Sequence, residues 1–264
     1  MTKTLPIFQI DAFSDRVFGG NPAAVCPLDE WLDESVMQTI ATENNLSETA
    51  FFVARGGGDY DIRWFTPVAE IDLAGHPTLA TAWLIVNRLD SNRDSVTFHT
   101  KIGDVLTVEQ DGDLLVMDFP ARPPAPADIS VEIAQALGAE PVEALAARDG
   151  LAVFENEAQV KALKPDMAKI ANLDYLGVIA TAPGDDCDFV SRFFAPKHGV
   201  PEDPVTGSAH CTLIPYWSER LGKKELHARQ ISARGGELFC EHLGDRVKIG
   251  GRAALYMEGS ITVP

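Results

Sequence analysis

The chain predicts an α+β fold made of two similar domains related by pseudo-twofold symmetry, each a curved sheet around one central helix. Three observations lead there: an internal repeat, two helices that are apolar on nearly every side, and strands punctuated by turn glycines.

The repeat comes first, because missing one misreads a whole fold. Arg63-Trp64-Phe65-Thr66-Pro67 resembles Arg192-Phe193-Phe194-Ala195-Pro196, and Ala74-Gly75-His76-Pro77 resembles Thr206-Gly207-Ser208-Ala209. Each is followed by an apolar stretch with a tryptophan, Trp83 or Trp217. Gly103 to Glu109 then resembles Gly236 to Glu241, and Gly112-Asp113 matches Gly244-Asp245. The four offsets are 129, 132, 133 and 132 residues in a chain of 264. Recurrent turn glycines are the plainer explanation, but four matches in one order favour two copies of one fold. Pro120 to Pro126 holds four prolines, which lack the N–H and fix φ, so it reads as an extended linker. The expected domains are therefore residues 1–122 and 123–264, with the last strand free to pack back on the first domain.

Along the chain, Ile7 to Phe13 reads as a strand and Gly19-Gly20-Asn21-Pro22 as a turn. Leu32, Val36, Met37 and Ile40 have helical spacing over Leu32 to Glu43, and Asn44-Asn45 suits its end. Thr49 to Ala54 and a segment starting at Arg63 read as strands around the Gly56-Gly57-Gly58-Asp59 turn. Pro77 to Leu89 is apolar almost all round, as a helix buried on every side is. At about 13 residues it is too short to cross a bilayer. Its counterpart, Ser208 to Leu221, contains Pro215, which should bend it or break a backbone hydrogen bond there. Meanders follow each helix: Ser95 to Thr100, Asp104 to Gln110 and Leu114 to Phe119, then Gln230 to Ala233, Glu237 to His242, Arg246 to Ile249 and Ala253 to Met257. Their hairpin turns fall at Asp111-Gly112-Asp113 and Leu243-Gly244-Asp245.

Composition narrows the function classes. A formal charge of −17 would repel a phosphate backbone, so nucleic acid is not expected as a partner. No apolar run reaches membrane length and the N-terminus lacks a signal-peptide pattern, so a cytoplasmic, membrane-free protein is expected. The four cysteines are scattered without paired short spacing, which fits reduced thiols and gives no structural zinc pattern. The histidines show no metal-ligand spacing either, so no metal site is expected.

Both central helices begin at a glycine, Gly75 and Gly207. Unpaired N–H groups and a partial positive charge make such a terminus an anion site, and two of them can hold a carboxylate and a developing enolate-like charge. Two ordinary capped helices would look the same. His76 follows Gly75, and the helix start favours its neutral imidazole. On its own it is as readily structural as catalytic. Asp203, in Glu202-Asp203-Pro204, reads singly as a turn residue, although it stands just before the second helix. Glu48, in Leu46-Ser47-Glu48-Thr49, reads singly as a solvated glutamate opening a strand.

Taken together, Asp11 to Ser14, Gly19 to Val25, Leu46 to Phe51, Arg63 to Pro67, Ala74 to Thr78, Glu202 to Ala209 and Gly251-Arg252 resemble the PhzF-like (phenazine biosynthesis F) family of the diaminopimelate-epimerase-like group. The matches run over the whole chain, and their combination is specific where each alone is weak. The resemblance implies two alike domains, each a curved sheet or barrel around a helix, with the site between them, and a homodimer. It implies Glu48 as the general acid/base that takes a proton from one carbon and returns it at another. His76 and Asp203 fall on helper positions, and Gly75, Gly207 and Ser208 on positions that hold the substrate carboxylate. Asn21 and Ser47 are further substrate-binding candidates.

A carbon acid is weak, so such a base needs a raised pKa and the carbanion needs donors close by. Racemases of the wider group carry a cysteine before each helix glycine. Here those positions are Ala74 and Thr206, which favours a cofactor-independent isomerase of a small carboxylated substrate with a single carboxylate base. The alternatives are an epimerase or racemase with non-cysteine bases such as Glu48 and Asp203, a non-catalytic small-molecule binding protein, and a metal-dependent enzyme.

Overall fold

The computed structural model describes residues 2–264. The chain divides into two compact units. Unit 1 runs to Asp118 and takes in Gly250–Pro264, and unit 2 is Phe119–Ile249.

Unit 1 opens with β1 (Lys3–Ala12) and β2 (Asn21–Leu28), an antiparallel pair. The chain between them turns at Gly20, whose φ is +62° and where a Cβ would stand 2.1 Å from the Ala12 carbonyl oxygen. Only glycine fits there. Helix α1 (Glu34–Asn44) ends at Asn45 in the left-handed conformation, φ 49°. It carries the chain over to β3 (Glu48–Gly56), which pairs parallel to β2. Next come β4 (Asp59–Phe65), antiparallel to β3, and the two-residue β5 (Glu70–Ile71). Helix α2 (Gly75–Leu84) follows and continues as a π turn over Ile85–Leu89. Then β6 (Ser95–Thr100) pairs parallel to β4, and β7 (Val105–Asp111) and β8 (Leu114–Pro120) complete a meander.

Strand alternation explains how both faces of the unit 1 sheet are used. Ala24, Cys26 and Leu28 of β2 pack with Met37, Ile40 and Ala41 of α1. The intervening Ala23 and Val25 are buried as well, and α2 packs against β1, β2 and β3. Eight of the ten residues of α2 are buried. That is why the sequence shows no polar face there.

Unit 2 repeats this order of pairings. It begins with β9 (Ala125–Pro126), α3 (Ser130–Leu137) and the antiparallel pair β10 (Glu143–Ala146) and β11 (Gly150–Val153). Short helices α4 (Glu157–Ala162) and α5 (Met167–Ala171) lead to β12 (Val178–Pro183), parallel to β11 as β3 is to β2. Then β13 (Phe189–Ala195) and β14 (Val200–Asp203) reproduce β4 and β5. Helix α6 (Gly207–Leu221) continues through Pro215. Strand β15 (Glu225–Gln230) pairs parallel to β13, followed by β16 (Gly236–His242) and β17 (Arg246–Gly251). The last strand, β18 (Ala253–Val263), pairs antiparallel with β1 in unit 1.

The strand expected at Gln230 to Ala233 lies earlier, at Glu225–Gln230. Residues 231–235 form a turn instead. Ser232 Oγ donates to the Pro204 carbonyl and accepts from Gly235 N–H, and Gly235 has φ +67°. No helix among the described residues is long and apolar enough to cross a membrane.

One clamp occurs in both units. Arg63 Nε and Nη2 grip the two carboxylate oxygens of Glu70 at 2.6 and 2.7 Å. Arg192 grips Glu202 in the same way at 2.7 and 2.8 Å. Each guanidinium also lies over an aromatic ring of its own strand, Phe65 or Phe194. A planar fork meeting a carboxylate in two hydrogen bonds is the geometry arginine suits best. The repeated Arg-aromatic-Phe motif is therefore a device that pins β5 to β4 and β14 to β13, just ahead of each central helix.

Candidate active site

In unit 1 the turn before β2, the start of β3 and the first turn of α2 converge. Asn21 opens β2, Glu48 opens β3, and the register sets Ala23 opposite Glu48. His76 is the second residue of α2 and is buried. Its Nδ1 lies 3.2 Å from Asn21 Nδ2, and its Nε2 lies 3.2 Å from Glu48 Oε2. The approach to Glu48 is close without being aligned as a good hydrogen bond. Ser47 Oγ reaches Asn21 Oδ1 at the long limit of 3.5 Å. Glu48 keeps 16% of its side chain exposed, enough to meet a small ligand.

Burial pushes the His76 imidazole down to about 3, and a hydrogen bond with the Pro22 backbone offsets only part of this. The ring is neutral at physiological pH, with one N–H and one lone pair. Helix α2 starts at Gly75 with Ala74 as its extended N-cap, and no side chain caps its first-turn amides. In α4 and α5, by contrast, Asn156 and Asp166 do cap.

In unit 2, α6 starts at Gly207 with Thr206 as N-cap, again with no side-chain cap bond. Thr206 Oγ1 donates to Asp203 Oδ2 at 2.5 Å. Gln230, wholly buried, accepts from Thr206 N–H and donates to the Asp203 carbonyl. His210 Nδ1 sits 2.8 Å from the Thr206 carbonyl, and burial pushes its ring down to about 4. Ser208 Oγ accepts from Arg148 Nη2 at 3.0 Å, and the same guanidinium grips Asp149 Oδ2 through Nη2 at 3.0 Å and Nε at 3.3 Å. Asp149 is buried, and desolvation raises its pKa against the pull of Arg148, Arg122 and the Gly177 backbone.

Arg148, Asp149, Gln230 and His210 were not singled out from the sequence. A signal for the first two existed. In each unit the residue after the helix glycine is touched from the chain entering the second strand: His76 by Asn21 at the start of β2, Ser208 by Arg148 just before β11. The unit 1 turn announces itself with Gly19-Gly20-Asn21-Pro22, whereas Ala147-Arg148-Asp149 carries no such punctuation.

Strand register shows that the two copies have been specialised differently. Phe65 and Phe194 match in the repeat. Thr49 faces Phe65 and Val178 faces Phe194, so the unit 2 counterpart of Glu48 is Gly177. A Cβ on Gly177 would stand 2.5 Å from the Phe193 ring, leaving no room for any side chain there. By the same reasoning Trp64 faces Ile71 and Phe193 faces Asp203, so the counterpart of Asp203 is Ile71. Each unit carries one of the two acids and lacks the other.

No thiol stands at either helix start: Ala74 and Thr206 fill the N-cap positions. Cys211 lies inside α6 facing the Gly207 carbonyl, and burial pushes its thiol up to about 11. Among the described residues no three His, Cys, Asp or Glu side chains converge as a metal site.

The relatives first define a class, since proteins named as isomerases match nearly the whole chain at 42% identity or more. More narrowly, the chain belongs to the PhzF family, since the family profile described as Phenazine biosynthesis-like protein matches residues 10–259. An uncharacterized isomerase of Pseudomonas aeruginosa is 53% identical over 257 residues, covering 97% of this chain and 98% of the relative. A crystal structure of a phenazine biosynthesis protein of the PhzF family from Enterococcus faecalis superposes with a TM-score of 0.95 at 47% identity, over 98% and 99% of the two chains. A hydroxyproline epimerase from Agrobacterium vitis superposes with a TM-score of 0.65 at 10% identity, over 98% of this chain and 93% of the other, a likeness of fold alone.

Proposed function

We propose that the protein moves a carbon-bound proton on a small carboxylated substrate without a cofactor, with Glu48 as the single general acid/base. The observation that carries this reading is the half-buried Glu48 carboxylate 3.2 Å from the neutral His76 at the uncapped start of α2. Glu48 takes a proton from a carbon next to an unsaturated or carboxylated centre. The C–H electron pair becomes an enolate-like charge, stabilised by first-turn amides. The protonated Glu48 then returns the proton at another carbon, so the double bond shifts and nothing else enters or leaves. His76 positions the carboxylate, and Asp203, held by Thr206 and Gln230, is a helper. Gly75, Gly207 and Ser208 serve the substrate carboxylate, with Asn21 and Ser47 beside them.

A single base is favoured by the register, which puts Gly177 at the unit 2 place of Glu48. Action on one substrate in a cleft served by both units remains part of the proposal, as do a homodimer and a cytoplasmic setting. The resemblance suggests the dimer, and four free cysteines suit a reducing compartment.

The test is proton NMR in heavy water with a panel of small carboxylic acids, cyclohexadiene acids included, using the wild type and Glu48→Gln. Exchange or double-bond movement with the wild type alone is expected. Equal exchange by both proteins removes Glu48 from the mechanism. Deuterium at an inverted centre without double-bond movement would favour an epimerase with Asp203 as the second base.

A further inference from the structure

Resting on that reading, we propose that Arg148 is the residue of unit 2 that binds the substrate's carboxylate and selects for it. The two anchors on its guanidinium leave a defined face unused. Nε and one proton of Nη2 are committed to Asp149, the other proton of Nη2 to Ser208, and Nη1 has no hydrogen-bond partner among the described residues. The side chain is 32% exposed while its anchor Asp149 is 1% exposed. An arginine held from behind by a buried carboxylate loses little rotamer freedom on binding, so its free N–H groups are ready for a planar anion.

The surroundings favour a negative ligand. Arg122 also acts on Asp149 and Cys211, so two guanidiniums stand against one carboxylate in a chain whose net charge is −17. Ser208 and the uncapped first turn of α6 adjoin the same guanidinium. The repeat supplies an independent argument. Arg148 reaches the residue after the helix glycine from the segment leading into β11, as Asn21 does from the start of β2 in unit 1, and unit 2 offers a cation there where unit 1 offers an amide beside a base. Unit 1 presents the base and unit 2 the anion receptor. Asp149 is the positioning residue that holds the fork.

The experiment measures binding in the Glu48→Gln background, where turnover does not interfere. Benzoate, benzamide and inorganic phosphate are titrated by calorimetry against this protein and against versions that also carry Arg148→Gln, Arg148→Lys or Ser208→Ala. Benzoate is expected to bind about 10- to 100-fold more weakly to Arg148→Gln, the range for a charge-assisted hydrogen bond. Arg148→Lys should fall between, because it keeps the charge and loses the fork. Benzamide should be indifferent to all three changes. Unchanged benzoate affinity in Arg148→Gln overturns the proposal, as does a parent that prefers phosphate or does not distinguish benzoate from benzamide. If Arg148→Gln does not fold, Arg148→Lys and Ser208→Ala decide, and benzoate affinity equal to the parent in both overturns the proposal. Failure of the proton-transfer reading would appear separately, as absent heavy-water exchange in a protein that still binds benzoate through Arg148.

Discussion

His76 and Glu48 meet at 3.2 Å although they lie on different elements, because β3 starts beside β2 and α2 starts beneath both. The imidazole is neutral through burial, so the pair is not one of two opposite charges. A ring that stays neutral beside the carboxylate does not depress its basicity as a full positive charge would.

His76→Gln should therefore slow heavy-water exchange about 100-fold while leaving Glu48 in place, the scale for losing one positioned group in a proton-transfer site. Exchange at the wild-type rate would make His76 a packing residue only.

Acid should destabilise the fold through His76 and His210. Both stay neutral when folded, down to about pH 3 and 4 respectively, but bind a proton in the unfolded chain below about 6.5. Unfolding thus takes up protons in that window. The histidines' contribution is complete above pH 6.5 and is lost as the pH falls toward 4, at about 1.4 kcal/mol per pH unit for each. Tm against pH should fall less steeply in His210→Gln than in the wild type between pH 6.5 and 4.5, even though the variant starts lower. Parallel curves would contradict the assignment.

The Arg192–Glu202 clamp should matter more than an exposed ion pair. Arg192 is 13% exposed and also donates to the Val160 and Leu163 carbonyls. Arg192→Ala leaves Glu202 and two carbonyls without that donor, at a cost of about 3 kcal/mol. Arg55 and Asp61 pair at 2.9 Å with 48% and 35% exposure, so Arg55→Ala should cost about 0.5 kcal/mol or less. Urea unfolding of the two variants provides the comparison, and equal losses would refute it.

Gly177→Ala should destabilise by about 1–3 kcal/mol. The new Cβ would meet the Phe193 ring at 2.5 Å and the Phe194 carbonyl oxygen at 2.9 Å, and the latter is backbone that cannot step aside. A wild-type Tm in this variant would show that the site relaxes.

Thiol labelling with Ellman's reagent should be slow in the native protein. Cys26, Cys211 and Cys240 are buried, and burial pushes the first two thiols up to about 12 and about 11. Cys187 is half-buried with its thiol up to about 11, so it should be the first to react. Rapid labelling of all four would mean that both units open readily.

Much of this was legible in the residues. The apolar girth of Pro77 to Leu89 gave away a buried helix, and Arg63-Trp64-Phe65 against Arg192-Phe193-Phe194 revealed two copies. The meander strands were visible through their turn glycines. The segment from about 127 to 190 was harder to read, because α3, α4 and α5 are one- to two-turn helices whose short apolar patterns carry little periodicity. Gln230 looked like the start of a strand but is its last residue, because its side chain is fully buried in hydrogen bonds to Thr206 and Asp203.

The sequence by itself determined the repeat and the two buried helices starting at Gly75 and Gly207, because local periodicity is written in neighbouring residues, while Glu48, His76 and Asp203 became candidates only through the resemblance to a family. Only the tertiary structure decided that Asn21 meets His76, that Arg148 meets Ser208, and that Gly177 and Ile71 stand where the two acids would otherwise be duplicated. Those facts depend on strand register, which pairs residues tens of positions apart. Shifting a register by one residue turns every side chain to the opposite face, so it is settled by packing both faces of the sheet at once and not by any local stretch of chain.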